Sequence, residues 1–217
     1  MRITDKIGLK NPYRMSETLF KKHKIATLLD LGAGTNPSGL LRDKLKVRQL
    51  LIDVAFPQES NNFTVRRSLD ILDSSGIKSE MYKFWGKETV DCVICIQTIE
   101  HLEKDRGLAL LEMVESLAQK LIIIETPNGF INQPGTLENP FQEHKSGWIK
   151  GDFEKFGYTV VGTNGLKVFK KRSDKGEYRW KFRGIKFLDV VLSRIFFVHK
   201  FPTLCFNIFA FKIIEID

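Results

Sequence analysis

Cysteine is scarce in this chain, with Cys92, Cys95 and Cys205 as its three examples among 217 residues. So small and odd a set excludes a disulfide framework and fits a reducing compartment, so the expected location is cytoplasmic. The opening MRITDKIGLKNPYRM holds no apolar run long enough for a secretory signal. Internal repeats and low-complexity tracts are missing too. Outside one late segment there is no charge surplus of either sign. Between Gly165 and Lys200, the cations Lys167, Lys170, Lys171, Arg172, Lys175, Arg179, Lys181, Arg183, Lys186, Arg194 and Lys200 face only Asp174, Glu177 and Asp189. Those eleven against three leave +8, which is the net charge of the whole chain. Any contact with a polyanion or a membrane surface therefore belongs to that segment.

What is present is globular: 42% hydrophobic, 28% charged and 11% aromatic residues. A chain of this length suits one domain, 1–217, with one sizeable core. Short apolar runs alternate with helical patterns. Ile25 to Asp30 reads as a buried strand, and GLLRDKL after Pro37-Ser38 as a helix start. Arg48 to Val54, a shorter run within NFTVRRSLDI, Thr89 to Ile96 and Leu121 to Thr126 read as four more strands. Asp105 is placed to cap a helix whose apolar positions are Leu108, Leu111, Val114, Leu117, Ala118 and Leu121. Ser146 to Phe156 reads as a helix closing at Gly157, YTVVGTN as a sixth strand and Thr203 to Ile214 as a seventh. Such alternation implies an α/β fold, a mostly parallel sheet covered by helices on both faces. Binding sites in such sheets lie at the carboxyl ends of the strands. That directs attention to Asp30 to Gly34, Asp53, Asp70, Gln97 to His101 and Thr126 to Phe130.

Within the stretch TLLDLGAGTNPSGLL, Gly32 and Gly34 let the backbone turn sharply and approach a ligand. The helix after them offers its positive end. Asp53 follows Gly34 by 19 residues at the end of the next strand, where a carboxylate can accept from ribose hydroxyls. A third glycine two residues after Gly34 would complete a dinucleotide loop, and Asn36 stands there instead. Asparagine tolerates unusual backbone angles and can offer its amide to a ligand carboxylate.

In order, LLDLGAGT, LLIDV, SLDI, DCVICIQTIEHL and IIIETPNG resemble the class I S-adenosylmethionine-dependent methyltransferases, closest to the branch acting on small molecules, lipids and glycans. The resemblance covers about Ile25 to Val161. It implies a Rossmann-like sheet of seven strands with the last antiparallel. It implies S-adenosyl-L-methionine as cofactor. Asp30, Gly32, Ala33, Gly34 and Asn36 would surround its methionine end, and Asp53 with Val54 its ribose. Asp70 with Ile71 would lie near the adenine, and Ile96 and Gln97 would flank the other side.

A sulfonium methyl is already activated, because its leaving group is a neutral thioether. Holding an acceptor in line supplies much of the catalysis, and a hydroxyl acceptor also needs a base. His101 in QTIEHLEKD and His144 in NPFQEHKSGW are the candidates, with Glu100 and Glu143 as alternatives. His23 and His199 lie outside these loops and read as surface residues. Cys92-x-x-Cys95 lies inside an apolar strand, where positions three apart face opposite ways, and there is no second pair, so no metal is expected.

The basic segment, about 165–202, reads as an insertion between the last two strands. Its first half mixes Tyr178 and Trp180 with cations, as RNA- or lipid-binding surfaces do. Its second half is an apolar helix around Phe187 to Val198, too short and too charged at its ends to span a membrane. Core, substrate pocket, membrane surface and a second copy of the chain are the candidate partners for that helix. The expected acceptor is a small molecule, a glycan or a lipid-linked molecule, with nucleic acid the weaker choice. A nucleotide-dependent oxidoreductase and a methyltransferase-like binding module without catalysis are the competing readings.

Overall fold

The computed structural model describes residues 12–34, 46–54, 59–60, 63–137, 139–172, 178–182, 184–195 and 198–214. Asn36 and the helix expected after it lie outside the described residues. Helix α1 (Pro12–His23) precedes β1 (Thr27–Leu31), β2 (Arg48–Ile52), the two-residue β3 (Glu59–Ser60) and β4 (Thr64–Arg67). Then come α2 (Ser74–Trp85), β5 (Val90–Ile96), α3 (Lys104–Leu117) and β6 (Ala118–Pro127). The chain ends with α4 (Lys150–Glu154), β7 (Thr159–Leu166), a hairpin of β8 (Lys170–Arg172) and β9 (Tyr178–Trp180), α5 (Ile185–Ile195) and β10 (Cys205–Ile213).

The main sheet runs β3-β4-β2-β1-β5-β6-β10-β7. Strands β4, β2, β1, β5 and β6 are parallel to one another, and β10 lies antiparallel to both β6 and β7. The expected seven strands are thus joined by a short antiparallel edge piece, β3. Both faces are apolar because side chains alternate along each strand. Leu29, Leu31, Val93 and Cys95 pack on one face with Ile77 and Met81 of α2 and Leu110, Leu111, Val114 and Leu117 of α3. Leu28, Cys92, Ile94 and Ile96 pack on the other face with Met15, Leu19 and Phe20 of α1. Cys92 and Cys95 therefore belong to opposite layers and cannot share an ion.

Chain order makes β1 the pivot: β2 and β4 build outward on one side, and β5 returns to pair with β1 on the other. Strand order reverses there, which opens a crevice at the carboxyl ends of β1 and β5.

Four local expectations need correction. Asp105 sits in the first turn of α3, while Glu103 holds the cap position without a side-chain cap bond, and the helix stops at Leu117 because Ala118 already starts β6. The helix expected over Ser146 to Phe156 is confined to Lys150–Glu154. Trp148 is fully buried and its backbone bridges to Asn128 and Gly129, which keeps the preceding residues extended. The last strand starts at Cys205, since Pro202–Leu204 form a 3-10 turn. His199 is buried rather than on the surface.

Candidate active site

Asp30 is buried in β1, in register with Leu51 of β2 and Ile94 of β5. The chain then turns at Gly32 and Gly34, both with positive φ, 74° and 53°. The turn is tied to β2 by bonds from Gly32 N–H and Ala33 N–H to the Ile52 carbonyl. Asp53, one residue past β2, accepts from Gly34 N–H at 2.9 Å. Buried Arg66 of β4 donates to the Gly34 carbonyl at 2.6 Å. The turn is thus held from two neighbouring strands, and Arg66 is a residue that reading the sequence missed. Its signal, an arginine inside the short strand TVRR, does not by itself say what it binds.

Opposite this turn lies the exit of β5. A Cβ on Gly32 would stand 2.2 Å from Thr98 Cγ2, so the two backbones meet only because Gly32 has no side chain. Thr98 Oγ1 donates within reach of the Gly32 and Ile96 carbonyls. Gln97 has φ 54° and its amide donates to the buried Glu125 carboxylate of β6. Asn207 Nδ2 and Thr163 Oγ1 donate to the other Glu125 oxygen, so the acid joins β6 to β10 and β7. Burial pushes the Glu125 carboxyl above its ordinary pKa, and those donors pull against that.

Ile71 and Ile96 are buried at the two flanks of this edge, while Val54 and Gln97 are exposed. Asp70 is half-exposed; it accepts from Leu72 N–H and pairs with Arg106 at 3.0 Å.

Beyond β5, Ile99–His101 form a 3-10 turn that carries two chemically capable side chains. Glu100 is buried and accepts from Thr126 Oγ1 at 3.0 Å through Oε2, while Oε1 is buried without a partner. Burial pushes its pKa up to about 8, partly offset by hydrogen bonds from its own backbone and Thr126, and the neighbouring Glu125 adds to the rise. The Glu100 carbonyl accepts from Lys145 N–H and Ser146 N–H, at 2.8 and 3.1 Å. This brings the loop after β6 against the turn. Trp148 anchors that loop: Nε1 donates to Ser146 Oγ at 2.9 Å, Lys104 Nζ lies 3.6 Å from its ring centroid, and Gly107 is open to make room for it.

The result is that His101 and His144, far apart in sequence, meet edge to face with ring centroids 4.8 Å apart. His101 Nδ1 lies 3.0 Å from the Glu143 carbonyl, and His144 Nδ1 lies 2.8 Å from the Ile131 carbonyl. A carbonyl only accepts, so each Nδ1 carries a ring proton. Burial lowers the His101 pKa, which favours the neutral ring, although the Glu143, Gln97 and Gln142 carbonyls oppose it. One ligand atom each from Glu100, His101 and His144 lie within 4.8 Å of one another. The exposed Glu143 contributes its carbonyl to this cluster.

No family model and no curated protein matches the sequence. Solved structures do match in shape. The small RNA methyltransferase HEN1 superposes with a TM-score of 0.55 at 17% identity, over 94% of this chain and 25% of that one. The chain thus spans a quarter of the length of HEN1. A putative methyltransferase from Thermobifida fusca YX gives 0.55 at 12% identity, over 99% of this chain and 81% of that one. A SAM dependent methyltransferase from Archaeoglobus fulgidus gives 0.50 at 13% identity, over 93% and 94%. The chain has the fold of the class I S-adenosylmethionine-dependent methyltransferases, with β10 inserted antiparallel between β6 and β7.

Proposed function

We propose that the chain is a methyltransferase that uses S-adenosyl-L-methionine to methylate an oxygen of a small-molecule, glycan or lipid-linked acceptor. The observation that carries this reading is the convergence of the Gly32–Gly34 turn, Asp53 and the β5 exit at the point where strand order reverses. The residues present fit the cofactor. Asp53 already accepts from Gly34, but a carboxylate has about four lone-pair sites, so a ribose diol can be accepted alongside. Among the described residues nothing lies within 4 Å of where a Gly34 Cβ would point, so a ligand can approach that backbone. Ile71 and Ile96 supply apolar surface for an adenine ring. Asp30, Ala33, Val54, Asp70 and Gln97 complete the proposed cofactor residues, with Asn36 outside the described part.

The bound cofactor supplies the methyl group, whose S–C bond breaks as the new O–C bond forms. The acceptor hydroxyl also loses its proton, and His101 and His144 are the proposed catalytic residues because folding brings both rings together at the exit of β5. The loop after β6 that seats His144 also exposes Phe130, Leu137, Phe141 and Ile149. Such an apolar rim suits sugar faces or a lipid chain better than a bare polyanion.

The segment 165–200 is proposed to rest against a membrane. Val168, Phe182, Phe187 and Leu188 are exposed there among its lysines, with Phe201 and Leu204 just beyond it, a mixture that suits a membrane interface. No helix among the described residues is long and apolar enough to cross a membrane. Sedimentation with anionic vesicles tests this contact, and sedimentation velocity tests the competing cover, a second copy of the chain.

Calorimetry with S-adenosylmethionine and S-adenosylhomocysteine tests the function itself. Binding is expected, and its absence at millimolar ligand would sink the proposal. A methyl-transfer screen over glycans, lipids, phenols and RNA then identifies the acceptor.

A further inference from the structure

We propose that Glu100, His101 and His144 form a binding site for a divalent transition-metal cation. The sequence does not signal it, because the ligands come from two segments brought together only by folding. The 3-10 turn after β5 supplies Glu100 and His101, and the loop after β6 supplies His144.

Three independent features of the geometry converge on a cation. The first is proximity: one donor atom of each residue lies within 4.8 Å of the others. Bonds of about 2.1 Å need a tighter set, so the side chains close by roughly 1 Å around an ion. The second is the orientation of both rings. Nδ1 of His101 is held on the Glu143 carbonyl and Nδ1 of His144 on the Ile131 carbonyl. Metal-bound imidazoles are oriented in this way, with the far N–H on a backbone or carboxylate acceptor and the near nitrogen presenting its lone pair. The third is Glu100 Oε1, buried without a partner beside an Oε2 that Thr126 already serves. A buried carboxyl with one satisfied and one orphaned oxygen calls for a donor or a cation.

The donor chemistry narrows the ion. Two imidazoles and one carboxylate suit Mn²⁺, Fe²⁺, Co²⁺ or Zn²⁺, whereas Mg²⁺ and Ca²⁺ prefer all-oxygen sets. Three protein ligands leave coordination positions open, as in sites that activate an oxygen. The use of the ion rests on the methyltransferase reading, although the geometry of the site does not. An acceptor hydroxyl at an open position would be acidified and release its proton to water, and its oxygen would then form the O–CH₃ bond as the S–CH₃ bond breaks. In that case the histidines act as ligands, and neither takes the proton itself.

The experiment uses the full chain stripped with a chelator and titrated with Mn²⁺, the free ion being followed by electron paramagnetic resonance. One site per chain is expected, and Co²⁺ should develop visible ligand-field bands on binding. Glu100→Gln keeps the volume and the Thr126 bond but removes the anionic ligand; His101→Gln and His144→Gln remove the ring donors. Each is expected to weaken Mn²⁺ at least tenfold, about 1.4 kcal/mol, with a cooperative thermal melt as the folding control. Absence of Mn²⁺ and Co²⁺ binding to the wild type at millimolar ion overturns the proposal without recourse to any variant. Equal binding by the wild type and all three folded variants overturns it as well. S-adenosylhomocysteine binding is measured on the same stripped protein. Cofactor binding without Mn²⁺ binding removes the cation site alone, while Mn²⁺ binding without cofactor binding supports the site and removes the methyl-donor reading.

Discussion

Gly32→Ala should be the most damaging single-methyl change at the cofactor edge, and its cost can be assembled from parts. Gly32 has φ 74°, where an L-residue costs about 1–2 kcal/mol. The added Cβ would stand 2.2 Å from Thr98 Cγ2 and 2.3 Å from its Oγ1. Thr98 is mostly buried, so displacing it costs about 1–3 kcal/mol as overpacking. Its hydroxyl bonds to the Gly32 and Ile96 carbonyls are long, 3.3 and 3.2 Å, and losing both adds about 1 kcal/mol. The total is about 3–6 kcal/mol, read as a fall in the urea midpoint at constant slope. The double variant Gly32→Ala/Thr98→Gly separates the parts. It removes the clash and leaves the backbone strain, so a favourable coupling energy of at least about 1 kcal/mol is expected from the cycle. A Gly32→Ala protein that unfolds like wild type, or a cycle with no coupling, would refute the close approach of β1 and β5.

Other outcomes follow from particular side chains. Asp53→Ala should weaken cofactor binding at least tenfold by calorimetry, about 1.4 kcal/mol, because the ribose acceptor and the Gly34 tether are lost together. Asp91 accepts from Ala26 and Thr27 N–H at 2.8 and 3.1 Å and pairs with Lys120 at 2.9 Å. Burial pushes its pKa up, but these partners bring it below its ordinary 3.8. Its stabilisation is therefore present above that value and lost as pH falls through the depressed folded value. Asp91→Ala should cost about 1–3 kcal/mol at neutral pH, and the loss should shrink in acid; a pH-independent loss would contradict the assignment. Glu125 has the opposite sign. Burial raises its folded pKa above 4.5, so its stabilisation is complete below that value and declines as pH rises through the folded value. Glu125→Gln should flatten that decline in melting temperature as pH rises above 4.5.

The sheet was legible because its strands are buried on both faces and bounded by glycine, proline and acids. Thr27–Leu31 and Val90–Ile96 read as mostly apolar runs, each holding a single acid, Asp30 or Asp91, and such runs have few alternative uses. The turn after β1 and Asp53 were legible from spacing along the chain, since consecutive parallel strands bring their ends together. The parts that were not legible depend on contacts between segments far apart in sequence. Trp148 is drawn into the core beside Gly107, and this pulls Ser146 to Ile149 out of the helix their sequence favours. His199 looked like a surface residue because charge and polarity were all the sequence offered, and packing between β7 and β10 buried it. Arg66 and Glu125 are ordinary charged residues in strands until their partners, the Gly34 carbonyl and Asn207, are placed.

Those long-range contacts make one short segment the junction of the site. From Ile96 to His101, successive residues face different partners: Thr98 meets the Gly32 turn, Gln97 reaches Glu125, Glu100 binds Thr126, and its carbonyl holds the His144 loop. The proposed cofactor and acceptor sides are therefore not separate modules. Both hang on one stretch of backbone that includes a strained residue, Gln97 at φ 54°. A change that moves Thr98 shifts Glu100 and His101 with it, because only two residues of a tight turn intervene. Loss of acceptor turnover in a Gly32 variant would then report displacement of the turn that carries Glu100 and His101 as well as a weaker cofactor. Saturating the cofactor separates the two: turnover restored at high cofactor means only binding was lost, and turnover still depressed means the turn itself has moved.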